Sequence, residues 1–333
     1  MADAETTPDL DVEVVDALPT VVPSHLPGEL QDLLDAAREY ADAATAPNTV
    51  KAYQSDWRGF TAWCAQHRLQ PLPADSMTVA LYLTAMAKNG RKVTTIRRHT
   101  AAIARAHRDN GHPNPMWDPT AALVLEGIAR THRSAPKKKV ALLRDPMVQL
   151  IDRIETDTPA GLRDRALLLL GFALGLRRSE LVQILIEDLS PNADGLTIRL
   201  ATSKTDQTGH GHEFLLPYAE PGRPCPVRAI RAWLDHTGLT HGPLIRRLHR
   251  NGIPGEALSP QSVALIVKRR AKAAGLNPAD FAGHSLRAGF ATQASRDGHR
   301  TEQITDVTRH RDRRTLDGYV RAGKGAEDVA RVL

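Results

Sequence analysis

Near the C-terminal end of this 333-residue chain, a few side chains have the chemistry for covalent attack on a phosphodiester. His284 and Arg287 form a His-x-x-Arg pair, His310 follows twenty-three residues after Arg287, and Tyr319 follows nine residues after that. A tyrosine hydroxyl is a poor nucleophile at neutral pH, so it needs cations to neutralise the developing oxyanion and proton-transfer groups beside it. On a helix, the three-residue spacing puts His284 and Arg287 on one face.

Two earlier stretches extend this set. The run GLRRSEL, Gly175 to Leu181, places Arg177 and Glu180 three apart, so a helix there lets the carboxylate hold the guanidinium while Arg178 points elsewhere. Lys204 falls at the turn end of an expected hairpin, where a long side chain can swing into a cleft. Taken singly, each residue also reads as ordinary structure: a surface arginine, a loop lysine, a half-buried tyrosine. Only the joint pattern carries the chemistry.

The elements that must position these residues are legible as periodicity. After Asn48, expected as an N-cap, the residues Val50, Tyr53, Trp57, Phe60 and Cys64 recur at offsets of three or four and predict one buried helix face. A second helix is expected from Asp75 to Lys88, ended by Asn89-Gly90. A third runs from Thr94 or Thr95 to about Asn110. Its apolar side uses Ile96, Ala101 and Ile103, its polar side carries Arg97, Arg98, Arg105 and Arg108, and Arg91 and Lys92 precede it. Such a basic side suits DNA phosphates, or simply solvent. A fourth helix opens at Asp118-Pro119 and continues through Leu123, Val124 and Ile128.

The stretch THRSAPKKKVALLRDP then interrupts the periodicity with proline, serine and Lys137, Lys138 and Lys139, as an interdomain linker would. Asp145-Pro146 repeats the cap-plus-proline start. Beyond it come an apolar helix, Ala166 to Leu174, closed by Gly175, and then a β-hairpin. Leu196, Ile198 and Leu200 alternate on the first strand, and Phe214 to Pro217 return on the second. Helices are expected near Pro226–Leu234, Pro260–Ala274 and His284–Asp297. Four segments result: an acidic tail over 1–25, a helical domain over 26–133, a basic linker over 134–142 and a second domain over 143–333.

Composition narrows the partners. The net charge is +6, but the first 23 residues hold six acidic groups and no lysine or arginine, which leaves +12 on the rest. A body this basic suits a polyanion such as nucleic acid. The two cysteines, Cys64 and Cys225, lack disulfide or metal-ligand spacing and fit a reducing cytosol. The N-terminus has no signal-peptide pattern and the longest apolar run is too short to cross a bilayer, so no membrane partner is expected. No carboxylate cluster, metalloprotease motif or phosphate-binding glycine loop occurs. His210 and His212 on a glycine-rich loop read as loop rather than metal ligands.

In order and spacing, GLRRSE, Lys204, HSLR, His310 and Tyr319 resemble the tyrosine recombinases, or phage-type integrases. The likeness covers nearly the whole chain after the acidic tail. The helical half, with TVKAYQSDWRGFTAWC and TTIRRHTAAIARAHRDNG, is most similar to that of the Cre-like members. The resemblance implies a mostly α protein with a small antiparallel sheet in its second domain, arranged as a two-domain C-shaped clamp on DNA. It implies site-specific recombination through a 3′-phosphotyrosine and a Holliday junction, needing neither metal nor ATP, by four protomers on two duplexes whose target carries inverted repeats. The catalytic set would be Arg177, Lys204, His284, Arg287, His310 and Tyr319, with Glu180 orienting Arg177. DNA contacts would come from Arg91, Lys92, Arg97, Arg98, Arg105, Arg108 and Lys137 to Lys139, and a bacterial, phage or plasmid protein working at the nucleoid would result. Two departures stand out: Thr308-Arg309 replaces the family's common Leu-Gly, and Asp206 follows Lys204 where a second basic residue is frequent. A type IB topoisomerase-like enzyme and a catalytically silent DNA-binding protein are the alternatives.

Overall fold

The computed structural model describes residues 28–132, 139–200, 211–309 and 317–319. The acidic tail, Lys137, Lys138, Lys204, His210, His310 and the segment after Tyr319 lie outside the described residues. The chain divides into two compact units, Met1–Pro136 and Lys137–Leu333.

The first unit is helical: α1 (Gly28–Ala43), α2 (Pro47–His67), α3 (Ser76–Lys88), α4 (Val93–Asp109) and α5 (Pro119–Thr131). Asp75 caps α3 by accepting from the Thr78 N–H, and Asp118 caps α5 by accepting from the Thr120 N–H at 2.8 Å. These caps satisfy N–H groups that a helix start otherwise leaves without an acceptor. The start of α2 differs from expectation. Its cap is Ala46 without a side-chain bond, because Pro47 takes the first helical position ahead of Asn48. The expected face of α2 holds, with Trp57, Phe60 and Cys64 buried against Val79, Leu83, Ile96 and Ile103. Burial pushes the Cys64 thiol up to about 11, so it packs as a small apolar group. His107 is also fully buried. Its Nε2 accepts from the Ala74 N–H at 2.8 Å, which leaves Nδ1 to donate to the Ile103 carbonyl at 2.8 Å and fixes a neutral ring.

The second unit combines helices with two antiparallel sheets, where the sequence led us to expect one. Strands β1 (Leu189–Pro191), β2 (Gly195–Leu200) and β3 (His212–Pro217) pair in that order, with Ile198 opposite Phe214 and Leu200 opposite His212. Leu196, Ile198, Leu200, Phe214 and Leu216 face the core. His212 therefore belongs to a strand, its ring centroid 4.4 Å from that of Phe214, and not to the loop. A second ribbon pairs β4 (Arg246–Leu248) with β5 (Pro254–Ala257). Its charged and proline-containing residues lack the alternation that marks a strand in sequence.

The helices of this unit are α6 (Arg144–Asp152), α7 (Pro159–Ala173), α8 (Arg178–Leu181), α9 (Pro226–Thr237), α10 (Pro260–Ala273), α11 (His284–Arg296) and α12 (Thr301–Thr308). Helix α6 begins before the Asp145-Pro146 cap expected for it, because Arg144 is already helical and Leu143 is the cap. Residues 166–170 of α7 are buried on all sides, so this helix forms the centre of the core. Each large apolar side chain so buried contributes roughly 1.5–3 kcal/mol. Helix α11 packs on α7, with Leu286 against Gly171. Among the described residues no helix is long and apolar enough to cross a membrane.

Candidate active site

The site forms where the start of α8, the inner face of α11 and the end of α12 meet. Arg177 stands at the N-cap of α8 and not inside it. Glu180, the third residue of α8, accepts the Arg177 backbone N–H on Oε2 at 2.8 Å and the Arg177 Nη1 on Oε1 at 2.6 Å. The pairing expected from the spacing is thus made, but by cap geometry. Glu180 is only 3% exposed, so this is a carboxylate taken out of water and held by charge-assisted bonds.

Arg287 points inward from α11 and is equally buried, at 3%. Its Nη1 donates to the Gly175 carbonyl at 2.7 Å and its Nη2 to the Thr308 carbonyl. Gly175 adopts φ +55°, and a Cβ there would lie 2.8 Å from the Phe290 ring, so only glycine presents its carbonyl at this point. Burial, together with the nearby Arg177 charge, pushes the Arg287 guanidinium down to about 10, which leaves it charged at neutral pH. Arg177 Nη2 donates to the Arg309 carbonyl at 3.0 Å. Two guanidiniums from distant parts of the chain therefore satisfy the last carbonyls of α12, groups that a helix end leaves open.

His284 opens α11 and is exposed, unlike Arg287. Its pKa lies below the ordinary histidine value, through partial desolvation first and then the charges of Arg287, Arg178 and Arg177. Arg178, expected to point elsewhere, still acts on His284 through this field. Tyr319 sits in the helical residues 317–319, half-buried against Phe290, Ala291, Ala294 and Ile304. It is near enough to Arg287 for their charges to interact. Of the six catalytic candidates the structure brings together Arg177, His284, Arg287 and Tyr319, with Glu180 beneath them.

Arg309 stands out in the sequence as a departure that would crowd the approach or add a phosphate contact, but it has no place in the expected catalytic set. It ends α12 in a left-handed conformation, φ 54°, which costs an L-residue roughly 1–2 kcal/mol. Its Nη2 donates to Glu180 Oε2 at 2.9 Å and its guanidinium lies 5.0 Å from the Phe214 ring centroid. The departure from Leu-Gly was the signal. That it joins Glu180, 129 residues away, was not readable locally.

The DNA-contact candidates divide. Arg91, Lys92, Arg97 and Arg108 are exposed around α4. Arg98 binds Asp56 through two bonds of 2.6 and 2.9 Å, with half of its side chain in solvent. Arg105 corrects the expectation: it is 8% exposed, donates to Asp109 at 3.0 Å and to Thr45 at 2.9 Å, and belongs to the interior. Leu123, in the helix expected from Asp118-Pro119, is 65% exposed, and Ala101, expected on the apolar side of α4, is only half-buried. Lys139 is exposed and its Nζ donates to the Ala279 carbonyl at 2.5 Å. Among the described residues no three His, Cys, Asp or Glu side chains gather as a metal-binding group.

The Phage integrase family model matches residues 141–325, and the Phage integrase N-terminal SAM-like domain matches residues 40–108. The chain belongs to the phage integrase family, the tyrosine recombinases. It is 37% identical over 298 residues to an integrase/recombinase xerD homolog of Selenomonas ruminantium, covering 88% of this chain and 87% of that one. It is 29% identical over 270 residues to the tyrosine recombinase XerD of Xanthomonas axonopodis pv. citri, covering 77% and 80%. Among solved structures, the XerH site-specific recombinase bound to a palindromic difH substrate aligns with TM-score 0.57 at 18% identity, over 78% of this chain and 72% of that one. A lambda integrase dimer bound to a COC′ core site aligns at 0.58 and 16%, over 90% and 82%. These structures share the fold: mostly helical, with small antiparallel sheets. The relatives described are of the Xer type, and the Cre-like affinity of the helical half stays a reading of the sequence.

Proposed function

We propose that this chain is a site-specific recombinase that cuts and rejoins double-stranded DNA through Tyr319. The observation that carries the reading is the convergence of Arg177 and Arg287 on the end of α12, with Tyr319 inside the field of Arg287. The Tyr319 oxygen attacks phosphorus, the phosphorus–O5′ bond breaks, and a 3′-phosphotyrosine and a 5′-hydroxyl result. Arg177 and Arg287 hold the non-bridging oxygens, since a planar guanidinium matches a phosphate and keeps its charge through the pentavalent state. Glu180 fixes Arg177. His284, kept neutral at pH 7 by its surroundings, takes or positions the tyrosine proton. Lys204 delivers a proton to the departing O5′, and His310 adds a hydrogen bond to the phosphate.

The covalent link conserves the phosphodiester energy, so attack by a partner strand's 5′-hydroxyl reseals the DNA without a cofactor. Exchange through a Holliday junction then needs four protomers on two duplexes, acting at a target of inverted repeats. The exposed cations on and just before α4, Arg91, Lys92, Arg97 and Arg108, and the exposed Lys139 would supply phosphate contacts, together with Lys137 and Lys138 of the same basic run.

The test starts from duplexes selected for binding out of a random pool, then nicked near the centre so that a cleaved strand escapes. Incubation in EDTA without ATP, followed by a denaturing gel, is expected to show a protein–DNA adduct with wild-type protein and none with Tyr319→Phe. Specific binding without an adduct in either protein would make the chain a silent DNA-binding protein. Relaxation of plasmids lacking the selected site would make it topoisomerase-like.

A further inference from the structure

We propose that Arg309 is a third guanidinium for the scissile phosphate, touching a non-bridging oxygen beside Arg177 and Arg287. This rests on reading the site as a phosphodiester-transfer centre. The backbone supplies the first reason. At φ 54° a glycine would sit without strain, yet an arginine is held there. Left-handed non-glycine backbone of this kind clusters at functional sites, and unlike Arg68, which shares it, Arg309 stands beside the two site guanidiniums.

The hydrogen bonds supply the second. Arg309 has five N–H donors, and its side chain is 12% exposed. Nη2 reaches Glu180, but Nε and Nη1 are buried with no acceptor among the described residues. Both Glu180 oxygens are already engaged, Oε1 by Arg177 Nη1 and Oε2 by the Arg177 N–H and Arg309 Nη2, and neither accepts from Arg309 Nε or Nη1. Buried donors on a cation are rarely left so, and the group they fit is an anion brought from outside.

Charge supplies the third. Arg177, Arg287 and Glu180 alone give a surplus of one positive charge, which balances a phosphodiester at rest. The pentavalent phosphorane carries two negative charges, and Arg309 raises the surplus among the described residues to two. Catalysis favours groups that match the charge of the transition state over that of the ground state. The Phe214 ring below the guanidinium helps hold it in place without using a hydrogen bond.

The experiment compares Arg309→Gly and Arg309→Lys with wild type on the nicked duplex, carrying at the scissile position either the natural phosphodiester or a neutral methylphosphonate. Glycine suits the backbone at 309, so the fold should survive, as a thermal melt will show. Arg309→Gly is expected to form adduct about 100-fold more slowly on the phosphodiester, the usual loss for one oxyanion donor, and to approach wild type on the methylphosphonate. Arg309→Lys should lose about tenfold on the phosphodiester only, because it keeps the charge without the fork. If Arg309→Gly is slowed equally on both substrates, Arg309 acts only through Glu180 and the proposal falls. Full activity on both, or rescue only by neutralising an adjacent phosphate, overturns it too. Should Arg309→Gly fail to fold, the two rates of Arg309→Lys decide. An adduct that persists in Tyr319→Phe, or fails to form with wild type, takes down the reading of the site itself. A Tyr319-dependent adduct indifferent to Arg309 removes this proposal alone.

Discussion

Asp56 in the first unit and Glu180 in the second are both 3% exposed, and each faces two basic side chains. Around Asp56 stand Arg98, half in solvent, and His99, whose Nε2 lies 3.1 Å from Oδ1 and whose Nδ1 meets the Tyr82 hydroxyl at 3.0 Å. Burial holds His99 below its ordinary pKa despite Asp56, and pushes Tyr82 up to about 12. One permanent cation thus answers one anion, and the cluster closes on itself. Around Glu180 the partners are Arg177 and Arg309, with Arg287 behind them, so positive charge is left over. Similar parts give a finished structural network in one place and an unfinished, anion-seeking one in the other.

Four experiments would break or sharpen this contrast. The largest effect belongs to Arg287→Ala, expected to slow adduct formation about a thousandfold, with a fall in melting temperature because the Gly175 and Thr308 carbonyls lose their donor. A near-normal rate would deny Arg287 a place at the phosphate. Next comes a matched pair. Glu180→Gln leaves Arg177 and Arg309 facing each other while largely buried, and should cost on the order of 3–5 kcal/mol in urea unfolding and slow the chemical step. Asp56→Asn should cost only about 1–3 kcal/mol, because water already solvates half of Arg98, and should leave the chemical step unchanged. Equal loss of cleavage rate in both variants would erase the distinction.

Gly175→Ala should be smaller, about 1–2 kcal/mol from the left-handed backbone plus the contact with Phe290, and should shift the carbonyl that holds Arg287. Unfolding of the purified variant checks it, and wild-type stability would refute it. The smallest effect is on pH. His284, His99 and His107 all have folded pKa values below the ordinary 6.5. Between those values and 6.5 the unfolded chain binds more protons than the folded one, so stability falls as pH drops below 6.5. Urea midpoints from pH 7.5 to 5.5 should decline, and a flat or rising series would contradict the burial of His99 and His107 and the cationic surroundings of His284.

Much of this was legible in the sequence because it is local. The face of α2, the Asp118 cap and the β2–β3 alternation follow from local pattern alone, and so does the Arg177–Glu180 pair. What escaped depends on tertiary packing. Arg105 sits in a basic run and reads as part of a charged face, yet Thr45, 60 residues away, and Asp109 take it inward. Arg309 reads as a departure, and only the meeting of α8 with α12 shows what it touches. The β4–β5 ribbon has no alternation to betray it.

At the end of α12, the arginines that would grip DNA are also its plugs. A helix whose open carbonyls are stopped by such side chains shares its fate with them. A phosphate that drew Arg177 or Arg287 toward itself would unseat a bond at Thr308 or Arg309, and Tyr319 is only ten residues further along. Substrate arrival would thereby be felt at the helix end that the chain leaves on its way to the nucleophile.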